Sequence, residues 1–109
     1  MNQPYFVCND LASQLPELAA DSIISRTIYR DEQIRTILFA FASGQELSEH
    51  ATPFTAVLHF LQGEAHVTLG KEEIEAKAGS WIRMAPNLKH SVYAKTPVQM
   101  LLMMIKEAV

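Results

Sequence analysis

With 109 residues, 49% hydrophobic and 19% charged, the chain suits one packed domain and excludes both intrinsic disorder and a second independent core. A net charge of −3 and a pI near 5.7 leave no cluster of Lys and Arg to neutralise phosphates, which argues against a nucleic-acid partner. The lone Cys8 has no second thiol to pair with, and no apolar run approaches the roughly 20 residues of a membrane-spanning helix, so no membrane partner is expected and the expected setting is the cytoplasm.

Residues 1–22 read as an N-terminal extension, and residues 23–109 as the main domain. In the extension Leu11, Leu15 and Leu18 fall at helical spacing, Asp10 or Ser13 can serve as an N-cap, and Pro16 restricts the segment to a short helical or irregular stretch. Short β-prone runs follow at 23–29, 34–42, 56–61, 65–69, 73–76, 81–84, 91–94 and 98–105. Turn signals separate them, among them Ser43-Gly44, Gln62-Gly63, Gly70-Lys71, Ala78-Gly79, Pro86-Asn87 and Thr96-Pro97. These intervals are too short for crossover helices, so antiparallel pairing in an all-β sandwich or barrel is predicted.

Alternation assigns faces. Ala65, Val67 and Leu69 form the apolar side of one strand, which sends His66 to solvent with Glu64 and Thr68. The runs 56–61 and 101–105 are apolar on both sides, so one side lines the interior and the other meets a second layer or a second subunit. A homodimer is the expected partner for that outer side. If Leu58 and Phe60 face inward, His59 lies outside with Val57 and Leu61. Trp81 and the C-terminal methionines are expected in the core or at the dimer contact.

Two blocks end in histidine: Gly44-Gln45-Glu46-Leu47-Ser48-Glu49-His50-Ala51-Thr52, which continues past His50 to Thr52, and Gly79-Ser80-Trp81-Ile82-Arg83-Met84-Ala85-Pro86-Asn87-Leu88-Lys89-His90. Both resemble the signature motifs of the cupin superfamily, and the likeness extends over about residues 23–106. In the first block Gly44, His50 and Gly63 match, while Thr52 replaces a second His and Ala56 or Val57 a carboxylate. In the second, Gly79, Asn87 and His90 match, Ala85 stands where Pro is usual with Pro86 beside it, and Ala94 replaces a final Asn. The resemblance implies an antiparallel double-sheet jelly-roll barrel.

It also implies a site built on His50 and His90, with Thr52 beside them. Complete cupin motifs hold a divalent transition metal, and His50 and His90 are the candidate ligands for one here; Gln45 and Tyr93 are the residues a folded barrel could recruit as further donors. Three functional readings stay open. The first is a barrel that binds an unidentified small molecule against His50, His90 and Thr52; the second is a metal-dependent dioxygenase or isomerase; the third is a dimeric interaction module. Whether the protein is an enzyme is left open by the residues. Gly70-Lys71 lacks the glycine-rich loop and helix of a phosphate cradle, and neither a serine nor Cys8 sits in a nucleophile motif.

Overall fold

The computed structural model describes residues 4–106. Nine strands follow one short 3-10 helix at Leu11–Gln14: β1 Ile23–Arg30, β2 Ile34–Phe41, β3 Glu46–His50, β4 Thr55–Gln62, β5 Glu64–Leu69, β6 Glu72–Lys77, β7 Trp81–Met84, β8 His90–Ala94 and β9 Val98–Ile105. They form a five-stranded sheet in the order β1-β2-β9-β4-β7 and a four-stranded sheet in the order β3-β8-β5-β6. Every strand pairing is antiparallel, as the short turns require.

The sheets bury one face each against the other. From the five-stranded sheet come Phe41, Leu58, Phe60, Met84 and Met100, and from the four-stranded sheet Ala65, Val67, Ala76, Val92 and Ala94. Large residues on one sheet meet small ones on the other, which fills the interior without overpacking. Each fully buried Phe or Leu contributes about 1.5–3 kcal/mol of transfer free energy. Leu58 and Phe60 do face inward, so His59 lies on the outer face, half-buried and opposite Trp81 and Leu101 in register.

Hydrophobic patterning missed β3. Its sequence, Glu-Leu-Ser-Glu-His, has one apolar residue, and its pairing with β8 rather than any local preference makes it a strand. Of the two positions expected for Trp81, the core is excluded: it is 61% exposed, because β7 is an edge strand and Trp81 points to the outer side of the five-stranded sheet.

The N-terminal segment lies over that same outer side. Phe6, Cys8 and Leu11 line one cavity with Ile34, Thr36 and Leu101, and Leu15, Pro16 and Leu18 line another with Ala40 and Gln99. Asp10 does not cap the short helix through its side chain. Its carbonyl instead accepts from Ser13 Oγ and Gln14 Nε2. Arg26 fastens the segment by donating to the Gln14 carbonyl at 3.1 Å.

The turn before β5 admits only glycine. Gly63 has φ +87°, and a Cβ there would stand 2.0 Å from the Pro97 carbonyl oxygen. This close approach brings the β4–β5 turn against the loop between β8 and β9, where Thr96 Oγ1 accepts from Glu64 N at 2.9 Å.

Candidate functional site

A bulge in β3 creates the site. Leu47 pairs with Val92 and His50 with His90, so three residues of β3 span the distance covered by two of β8. Strict alternation from inward-facing Leu47 would turn His50 outward; the extra residue returns it to the interior side, opposite His90. His90 in turn shares its face with Val92 and Ala94 of the core and pairs on its other flank with Leu69.

The two imidazoles stand with ring centroids 4.1 Å apart and planes inclined by 58°. His50 Nδ1 lies 2.8 Å from the Ser48 carbonyl oxygen, and His90 Nδ1 lies 3.0 Å from that of Leu88. A carbonyl only accepts, so each Nδ1 carries a proton, and a ring in its neutral form then presents the lone pair of Nε2. His90 is only 3% exposed. Burial pushes its pKa below the ordinary histidine value, nearby His50 adds to the effect, and the bond to Leu88 opposes it.

Thr52 supports this arrangement from the side. Its Oγ1 donates to Met104 Sδ at 3.7 Å and accepts from Phe54 N at 3.4 Å. Its carbonyl takes a 2.7 Å bond from Asn87 N, which ties the segment after β3 to the turn before β8. Asn87 holds that turn with φ +69°, a left-handed conformation asparagine tolerates.

The residues present do not fit a resident metal ion. Two imidazoles supply two donors, and among the described residues no group of three His, Cys, Asp or Glu comes together to hold a cation. Tyr93, a residue that could have been recruited, is paired with Glu46 and His66 on the outer face of the four-stranded sheet, and Gln45 is half-buried in the turn before β3. The two cavities under the N-terminal segment are not lined by His50, Thr52 or His90.

Two features escaped the sequence reading. His66 does lie on the outer face, yet it bridges two carboxylates: Nε2 is 2.7 Å from Glu73 and Nδ1 contacts Glu75, which also binds Lys95. These bonds, that to Glu75 foremost and then that to Glu73, raise the His66 pKa. The hairpin register sets Glu75 directly opposite His66 and Glu73 opposite Thr68, so the Gly70-Lys71 turn carried the signal. The other is Arg35. It falls on the inward register of β2 with Ile37, Phe39 and Phe41, and its Nε is buried with no hydrogen-bond partner among the described residues.

A family model described as a cupin domain matches residues 37–106, well over half of the chain. Among solved structures, a conserved protein of unknown function from Streptococcus pyogenes is 26% identical, with TM-score 0.79 over 99% of this chain and 100% of that one. A cupin superfamily protein from Desulfitobacterium hafniense DCB-2 is 22% identical, with TM-score 0.80 over 84% of both chains. An RmlC-like cupin from Desulfovibrio desulfuricans is 19% identical, with TM-score 0.81 over 93% of this chain and 98% of its own. No protein of curated function matches the chain.

Proposed function

The chain belongs to the cupin family, and we propose that its barrel binds a small polar molecule against His50 and His90. The observation that carries this reading is the pairing of two inward-facing imidazoles whose Nδ1 protons are both taken by backbone carbonyls. Two acceptors fixed side by side at the edge of an apolar interior suit a ligand that offers O–H or N–H donors and buries its carbon skeleton. Thr52 enters as the brace that holds the following loop, since its hydroxyl is engaged by Met104 and Phe54.

An NMR-detected screen of small polar compounds against the wild type and a His50→Ala, His90→Ala double variant tests the proposal. Compounds that shift the imidazole signals of the wild type should fail to bind the folded double variant. Ligands held equally well by both proteins would place the binding elsewhere.

The outer face of the five-stranded sheet favours a second copy of the chain as its occupant. Trp81 and Ile105 are 61% and 44% exposed there, with half-buried Leu61, His59 and Met103 and the charged Arg83 beside them. A nearly uncharged apolar face suits a twofold contact with itself. Light scattering should return twice the 12.2 kDa chain mass, and Trp81→Glu should return the monomer; a monomeric wild type contradicts the dimer.

A further inference from the structure

We propose that the molecule bound at the imidazole pair is a small hydroxycarboxylate, its carboxylate held by Arg35 and its hydroxyl donating to His50 or His90. This deepens the small-molecule reading above and rests on it.

Three observations converge. Arg35 pairs with Met104 in register, Met104 with Ala56, and Ala56 with Met84, so one inward-facing row crosses the five-stranded sheet from Arg35. Met104 also accepts from Thr52, two residues beyond His50. Arg35 and the imidazoles therefore border the same end of the barrel interior, joined through Met104 and Thr52.

Among the described residues no carboxylate forms an ion pair with the charge at this end. Arg35 stands directly opposite Arg30 of β1, a cross-strand pair of like charges that repels. The ion pairs of the described residues join His66, Lys95, Glu73 and Glu75 on the far face of the other sheet, and none reaches Arg30 or Arg35. A guanidinium is always charged, and burying its Nε without an acceptor is unfavourable. An anion resolves both problems. Carboxylate matches the planar fork of Arg through paired N–H···O bonds.

The imidazoles select the other end of the ligand. Their free Nε2 lone pairs would repel a second anionic oxygen, and burial disfavours the protonated form of His90 that could attract one. A hydroxyl supplies the donor they lack. Met104, beside Arg35 on its inward row, and Leu69, opposite His90, are both half-buried and offer the carbon skeleton an apolar surround.

A matched set of probes separates the parts: lactate has carboxylate and hydroxyl, propionate only the carboxylate, lactamide the hydroxyl without the charge, and inorganic phosphate only the charge. Titrations followed by the imidazole signals and the Arg35 Nε–H signal should rank lactate first. Arg35→Gln should weaken lactate by about tenfold or more, the loss expected when a charge-assisted bond disappears, and leave lactamide unaffected. Arg35→Lys, which keeps the charge and the aliphatic stem, should fall between. If lactamide matches lactate and both Arg35 variants bind lactate like the wild type, the carboxylate inference fails while the imidazole site stands. If phosphate or propionate matches lactate, recognition of the hydroxyl fails. If no probe moves the His50 or His90 signals, this inference and the ligand site on which it rests fall together.

Discussion

Two histidine environments on opposite faces of one sheet respond to protons in opposite senses. His90 faces inward beside His50, tied to a backbone carbonyl and 3% exposed, and its pKa is lowered. His66, on the neighbouring strand, faces outward between Glu73 and Glu75, and its pKa is raised. Both strands contribute to the same ladder, with Leu69 opposite His90 and Tyr93 opposite His66. The difference comes from the face: burial disfavours the charged form of His90, and the carboxylates on either side of His66 favour its charged form. The inward pair is the one proposed to receive a ligand donor.

The same substitution at both positions should break the comparison most visibly. His90→Lys forces an ammonium into the barrel edge and is expected to cost about 3 kcal/mol or more, as an unpaired buried charge does. His66→Lys keeps a cation between Glu73 and Glu75 and should leave the urea midpoint close to that of the wild type. Comparable losses at the two sites would contradict the assigned faces.

The pH dependence should separate them by sign. Because folding lowers the His90 pKa, the unfolded chain takes up the proton first. Its contribution is present above the unfolded value near 6.5 and is lost as pH falls toward the folded value. Folding raises the His66 pKa, so its contribution is complete below about 6.5 and is lost as pH rises through the folded value. Thermal melts should therefore show a flatter acid limb for His90→Gln and a flatter limb above neutrality for His66→Gln. Added salt should shrink the His66 effect, which is solvent-exposed, and leave the His90 effect largely intact.

Much of this architecture was legible before the structure. Alternation placed His59 and His66 outside correctly, because strands β4 and β5 have inward rows of Leu58 and Phe60, and of Ala65, Val67 and Leu69, that allow only one orientation. The resemblance of two short blocks identified His50 and His90 as a pair. Their contact was not legible, because it depends on a bulge in a polar strand that periodicity does not register. For Trp81 size left core and dimer contact both open, and its edge position, which excludes the core, is a matter of sheet order that periodicity does not register. Arg35 lay unnoticed in an apolar run, although alternation from Ile37, Phe39 and Phe41 points it inward.

The smallest expected effect concerns the brace between the two sheets. Thr52→Val removes the donor to Met104 and the acceptor for Phe54 N. A loss of about 0.5–1.5 kcal/mol in chemical denaturation is expected, the usual net worth of such a bond. A variant as stable as the wild type would mean that the backbone bond from Asn87 to Thr52 holds the loop by itself.

The central claim is that His50 and His90 each donate from Nδ1 to a backbone carbonyl, leaving Nε2 without a protein partner. Long-range proton–nitrogen NMR spectra of the imidazoles, recorded across a pH series, report the tautomer and the titration together. The account predicts an Nδ1–H signature for both rings, with His90 taking up its second proton below the ordinary histidine value and His66 above it. An Nε2–H tautomer at either paired ring, or a His90 that is imidazolium at neutral pH, would contradict it.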